Sequence, residues 1–208
     1  MTALKKITDP DTRTAFAKQA EKIMCDAVRL QGVRALESTR RHAAIHEAGH
    51  AVIYEITADD ARWWRPYRLR IWREPAAPDG LLFWAGRTDV SPKAPPERVD
   101  TRNDPTGAAV LALRALAGWA SESQFCRKDF RMASSVDEML LAGGCARSLA
   151  THWNREPEKV LEILIATATR MLQANKPILM TISSRLEQNR KLENAELRRL
   201  LAGVVRQP

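Results

Sequence analysis

The sequence predicts a mainly α-helical fold with one small β-ribbon, an α+β class, for two reasons. Most of the 208 residues fall in segments whose apolar positions recur every three or four residues, which is typical of amphipathic helices. Only the segment 67–85 alternates between apolar and polar residues as strands do. Hydrophobic residues make up 45% of the chain, enough for a core without disulfide or metal staples.

Two helices are expected before the ribbon. The first opens at Asp9-Pro10 and continues to about residue 37, although Gly32 weakens its last third. The second covers about residues 38–57 and has an apolar stripe with helical spacing, which should face the core. This stripe consists of Ile45, Ala48, Val52 and Ile56.

The ribbon follows, and the rest of the chain is expected to be helical. Strands are predicted at 67–73 and 81–85 around a turn rich in proline and glycine, and residues 88–105 are predicted to form a loop. Gly143-Gly144 lies inside a predicted helix and indicates a kink or a close helix contact. The predicted helices are 106–122, 134–153, 157–175, 177–191 and 194–202.

Charge and cysteine content exclude several classes of protein. The net charge of +8 permits a polyanionic partner without requiring one. Three scattered cysteines form neither a disulfide framework nor a zinc ribbon, which favours a reducing, cytoplasmic environment. The first ten residues have no apolar stretch after their lysines, and no run of about 18 apolar residues occurs. A secretory leader and a membrane span are therefore not expected.

Residues 46–50, HEAGH, match the pattern H-E-x-x-H. Histidines four residues apart lie on one face of a helix, so His46 and His50 can reach one zinc ion at about 2.0–2.1 Å. Glu47 points to the side and can border the metal without ligating it, as a general base that takes a proton from water requires. Gly49 in mid-helix costs about 1 kcal/mol relative to alanine, so something is expected to need the missing side chain.

The third ligand must come from elsewhere in the chain. His42 extends the histidine series, but it lies about 12 Å from His50 along the helix axis, too far to share an ion with the other two. The metzincin pattern is also excluded, because the glycine and histidine that it requires do not follow the motif.

The stretch AAIHEAGHAVIYEI resembles the zinc helix of FtsH-type ATP-dependent zinc metalloproteases. The segments 67–80 and 116–125 resemble a strand with its turn and a helix that follow in that family. The segments 134–147 and 189–201 resemble later helices, so the similarity covers about residues 40–202. It implies a zinc peptidase domain over residues 38–208, preceded by a helical extension over residues 1–37.

The resemblance also implies the remaining site residues. The helix at 134–147 would supply a zinc ligand: Asp137 has the family's residue type, whereas the family's spacing fits better from Glu138. Adjacent helix positions point about 100° apart, so one of the two faces the metal, and we favour Asp137. Glu122 would orient a histidine ligand. The sequence has neither the family's phosphate-binding loop nor its membrane helices, so we expect peptides or unfolded chains as substrates, with a separate ATPase or self-assembly possible.

The sequence allows two alternative interpretations of function. Residues 62–73, RWWRPYRLRIWR, interleave arginines with aromatics and could bind nucleic acid, but a ribbon whose aromatics pack over the zinc helix is favoured. A non-catalytic module with a structural zinc is the second alternative. It would need a fourth protein ligand in place of an open position.

Overall fold

The computed structural model describes residues 10–32, 38–58, 65–74, 83–90, 99–126 and 135–206. For residues 10–17 and 31 it describes the backbone alone. The turn predicted at 75–80 and the start of the arginine- and tryptophan-rich segment, 62–64, lie outside these ranges.

The described residues form seven helices and three short strands, so the mainly helical class with a small sheet is confirmed. The first helix ends at Gln31 rather than near residue 37, because Gly32 takes a φ of +69° that ends the helix; residues 33–37 lie outside the described ranges. The helices are α1 Pro10–Gln31, α2 Arg40–Ile56, α3 Pro105–Phe125, α4 Val136–Trp153, α5 Pro157–Ala174, α6 Lys176–Asn189 and α7 Asn194–Leu201.

Local capping interactions fix where the two site helices α2 and α3 begin. The Thr39 hydroxyl accepts a hydrogen bond from the backbone N–H of His42, and His42 Nδ1 accepts one from the Thr39 N–H. The His42 side chain is therefore committed to the cap of α2. At α3 the Asp104 carboxylate accepts from the Gly107 N–H at 2.8 Å, and Pro105 occupies the first helical position.

The sheet has three antiparallel strands in the order β2-β1-β3: β1 Pro66–Arg73, β2 Trp84–Val90 and β3 Lys191–Glu193. Two predicted boundaries are wrong here. The return strand predicted at 81–85 continues to residue 90, so the first residues of the predicted loop are strand; residues 81–82 and 91–98 lie outside the described ranges. The predicted helix 177–191 ends earlier and is followed by β3, whose buried Leu192 stands opposite Leu69.

Helix α2 occupies the centre of the molecule. It packs against α3 and α6 and against the first two strands, where Leu69 and Ile71 are buried. Close packing of α2 on α3 needs Gly49: a Cβ there would lie 2.5 Å from Ser121 Oγ and 2.7 Å from the Ala117 carbonyl oxygen. The expectation that something needs the missing side chain of Gly49 is confirmed. This packing presents one face of α2 to α3 and another to β2.

Helix α4 continues through Gly143 and Gly144 without interruption. A Cβ on either glycine would meet only the guanidinium of Arg147, at 3.8 and 3.9 Å. No close helix contact is found at either glycine among the described residues, and the alternative of a kink stays a prediction.

The chain's last described residues are tied back onto the helices. The side chain of Asn175, between α5 and α6, accepts from the Val205 N–H at 2.7 Å and donates to the Val205 carbonyl at 2.9 Å. Arg206 donates to Glu55 near the end of α2 at 2.8 Å. Within the described part of the chain, no helix combines the length and apolar character needed to cross a bilayer.

Candidate metal centre

The two histidines of the HEAGH motif meet one carboxylate. His46 and His50 point their Nε2 atoms at one another, 3.0 Å apart, from successive turns of α2. Glu138, in the first turn of α4, places Oε1 at 2.9 Å from His50 Nε2 and Oε2 at 3.3 Å from His46 Nε2. These three residues form a group that could hold a metal ion.

The structure brings Glu138, and not the favoured Asp137, to the imidazole pair. Asp137 is not part of the group that could hold a metal. The physical reason is helical phase: one residue along α4 turns a side chain by about 100°, so only one of the two carboxylates can face α2. Glu138, the alternative that the resemblance had left open, is therefore the carboxylate placed to be the third metal ligand.

His46 has a second partner behind it. Its Nδ1 lies 2.7 Å from Oε1 of Glu122 on α3, and the Glu122 side chain is 2% exposed. A carboxylate on Nδ1 fixes the tautomer in which Nε2 carries the free lone pair. Gly118, one turn earlier on α3, provides the room, because a Cβ there would collide with the His46 ring. Glu122 therefore lies where an orienting residue is expected.

His50 is held differently. Its Nδ1 is buried and has no hydrogen-bond partner among the described residues. The Tyr54 ring lies one turn further along α2, with its centroid 6.1 Å from that of His50. Arg114 from α3 stacks on the Tyr54 ring at 4.3 Å and donates to the Thr57 hydroxyl at 2.8 Å. The His50 ring therefore has an aromatic neighbour, and no carboxylate among the described residues accepts from its Nδ1.

Glu47 is buried between α2 and β2. The Thr88 hydroxyl donates to its Oε2 at 2.7 Å, and a Cβ on Gly86 would lie 2.5 Å from its Oε1. Glu47 is 4% exposed, and burial raises its pKa despite the nearby His46, His50 and Thr88, which lower it. Neither Thr88 nor Gly86 was predicted as a site residue, because the return strand was expected to end at residue 85.

The electrostatics of the group favour cation binding. Burial alone would lower the pKa of His46, but the carboxylates of Glu138 and Glu122 outweigh it and hold that pKa well above its usual value. Burial alone would raise the pKa of Glu138, but His50 and His46 outweigh it and hold that pKa far below its usual value. The carboxylates therefore stabilise positive charge at the point where the two Nε2 atoms converge.

The donor set fits a tetrahedrally coordinated ion. Ligand atoms bound at about 2.0–2.2 Å in a tetrahedral site are separated by about 3.3 Å. The two Nε2 atoms are 3.0 Å apart, and the two oxygens of Glu138 lie near them, Oε1 at 2.9 Å from His50 and Oε2 at 3.3 Å from His46. Two imidazole nitrogens and one carboxylate oxygen are ligands that zinc and related divalent metals accept. Three such ligands come from the described residues.

The sequence matches no model of a known protein family, and a search of curated proteins finds no match. The likeness to FtsH-type zinc peptidases therefore rests on the quoted segments, and the family assignment stays a prediction.

Proposed function

We propose that this protein is a zinc-dependent metallopeptidase that hydrolyses extended or unfolded polypeptides. One observation carries the proposal: His46, His50 and Glu138 form a group that could hold an ion, while Glu47, held by Thr88, is outside that group and interacts electrostatically with all three of its members. A structural zinc site has no use for a fourth, separately held carboxylate, whereas hydrolysis requires a base there.

Each residue then has a defined task. His46, His50 and Glu138 hold the ion, and Glu122 keeps His46 Nδ1 protonated so that Nε2 faces it. When bound, zinc would polarise a peptide carbonyl and lower the pKa of a water molecule towards about 7. The three donors come from two helices, so the folded chain aligns them before an ion arrives.

Glu47 handles the proton. Its carboxylate takes a proton from the attacking water and returns it to the leaving amine. Burial raises the pKa of Glu47. A general base is most effective when its pKa lies near the working pH, so this shift favours catalysis near neutral pH. The Thr88 hydroxyl fixes Oε2, so the carboxylate does not rotate away from the reacting atoms.

Strand β2 supplies a place for the substrate. It is an edge strand of the described sheet, and its residues Gly86 and Thr88 contact Glu47. An extended peptide can pair with such an edge through main-chain hydrogen bonds, which are independent of its sequence. This arrangement favours unfolded chains, because a folded substrate rarely exposes an extended segment.

The test combines metal content with a matched pair of variants. Purified protein should contain about one zinc per chain by mass spectrometry and should cleave unfolded casein. Glu47→Gln should keep zinc and fold but lose hydrolysis, since glutamine cannot accept the proton. Glu158→Gln, an exposed position in α5, is the control and should behave as the wild type. Wild-type cleavage by Glu47→Gln would remove the proposed base, and a zinc-free, inactive wild type would remove the proposal.

A further inference from the structure

The sheet has a second face, turned away from α2. Along β1 the side chains alternate, with Leu69 and Ile71 buried and Arg68, Arg70 and Trp72 more exposed. The strand register places two charged residues of β2 and two of β3 beside the latter set. We call this surface the outer sheet face; it consists of Arg68, Arg70, Trp72, Arg87, Asp89, Lys191 and Glu193.

One row of this face is entirely cationic. Arg70 stands opposite Arg87 on β2 and opposite Lys191 on β3, so three cations cross the sheet in register. Neighbouring strands are about 4.8 Å apart, and like charges directly opposite one another destabilise a sheet. The folded protein therefore holds positive charge at close spacing, at some cost in stability.

The neighbouring row offsets this charge only in part. Asp89, which is 7% exposed, forms ion pairs with Arg68 and Arg87 at 2.7 Å and with Arg70 at 3.1 Å. Burial alone would raise the pKa of its carboxyl, but the three arginines outweigh it and hold that pKa below its usual value. Lys191 pairs with Glu193 at 2.8 Å. Two carboxylates thus serve four cations, and Arg70 Nε is buried without a hydrogen-bond partner among the described residues. An anionic ligand on the exposed parts of these side chains would offset the surplus positive charge.

Trp72 gives this surface an aromatic component. It is 38% exposed, lies on the same face two residues beyond Arg70, and donates from its indole N–H to Glu74 at 3.2 Å. The expected packing of the aromatics over the zinc helix therefore does not hold for Trp72. Cations in a row beside an exposed aromatic are what single-stranded nucleic acid requires, because phosphates pair with the cations and a base stacks on the ring.

We propose that the outer sheet face binds single-stranded nucleic acid, with phosphates along the Arg87–Arg70–Lys191 row and a base on Trp72. The metal centre lies on the opposite side of the sheet, since Gly86 and Thr88 contact Glu47 from the inner face. Binding therefore does not depend on the proposed peptidase activity and can be tested without it.

The test measures the fluorescence anisotropy of a labelled oligothymidine strand over a range of salt concentrations. In Arg87→Gln/Lys191→Gln, both ends of the row lose charge at side chains that are more than half exposed, so the fold should be retained. Affinity should fall at least tenfold, and the slope of log K against log salt should decrease by roughly 1.4 for two lost phosphate contacts. The control Arg155→Gln/Arg170→Gln removes two charges from exposed positions elsewhere and should change little.

Trp72→Ala separates stacking from charge. It should weaken binding about tenfold with an unchanged salt slope, because a stacked base carries no counterion term. Poly-glutamate should compete far less well than unlabelled oligothymidine. The proposal is overturned if the wild type does not bind at low salt, if both double variants lose affinity equally, or if poly-glutamate competes as well as the oligonucleotide.

Discussion

Two helices each supply one carboxylate to the same imidazole pair, and they do so from different surroundings. Glu122 on α3 is 2% exposed and touches the far side of His46, whereas the Glu138 side chain on α4 is 30% exposed and faces both Nε2 atoms. Helix α3 comes close because Gly118 leaves room for the His46 ring. Helix α4 approaches with its first turn and has open space around its own glycines. Glu122 is thus placed to orient His46, and Glu138, whose side chain is partly exposed, is placed to be a ligand.

The largest effect on zinc affinity should come from substitution of Glu138. Glu138→Ala removes one of three donors and should weaken zinc affinity beyond the about 10–100-fold typical of outer partners. Asp137→Ala, on a different face of α4, should leave affinity nearly unchanged. Competition with a chromogenic chelator measures both. Equal losses of zinc affinity in the two variants would contradict the orientation of α4 in which Glu138 faces the histidines and Asp137 does not.

Gly118→Ala tests the close approach of α3. The added methyl group would overlap the His46 ring, so we expect a loss of about 1–3 kcal/mol in the free energy of unfolding together with weaker zinc binding. Thermal denaturation with and without zinc is the measurement. A variant as stable as the wild type, with full zinc occupancy, would show that the ring has space to move.

Glu122→Gln should have a smaller effect that depends on pH. Glutamine still accepts the Nδ1–H bond but lacks the charge, so zinc affinity should fall by about 10–100-fold. In metal-free protein the pKa of His46 is higher in the folded state than its unfolded value near 6.5, so the protonated ring stabilises the fold. This stabilisation is fully present below the unfolded pKa and is lost as pH rises through the folded pKa. The variant should lower that pKa and shrink this loss, as chemical shifts of the His46 ring against pH would show. An unchanged pKa would contradict the assigned contact.

The smallest effect should have the opposite sign. Gly143 and Gly144 lie in helical conformation, and only Arg147 is near the space that an added methyl group would fill, so Gly144→Ala should stabilise the protein by about 0.5–1 kcal/mol. Urea denaturation measures the gain, and zinc affinity should not change. Destabilisation would indicate a neighbour outside the described residues. Alanine at residues 118 and 144 would then act in the same direction, and the contrast between the two helices would disappear.

Sequence patterns predicted the parts of the site that depend on local spacing. His46, Glu47 and His50 follow from helical periodicity alone, and Glu122 lies where the family resemblance implied. Between Asp137 and Glu138 the sequence signals conflict, since residue type favours the first and spacing the second, and the rotational phase of α4 against α2 brings Glu138 to the histidines. Thr88 and Gly86 were missed because the strand register, which places them over Glu47, is set by pairing with β1. Strand β3 has three residues and no turn signal of its own. It is defined by its pairing with β1, in which Leu192 stands opposite Leu69.

That last pairing has a consequence for how the chain folds. The inner row Leu69–Leu192 joins an early strand to one of the last described segments, so the sheet has a high contact order. On the ribosome, the side of β1 that later pairs with β3 stays unpaired until β3 has been synthesised, more than a hundred residues after β1, although the helices that carry His46 and Glu122 are already complete. During that interval the unpaired edge is open to association with other chains, and protection of the nascent protein from aggregation is needed most at this edge.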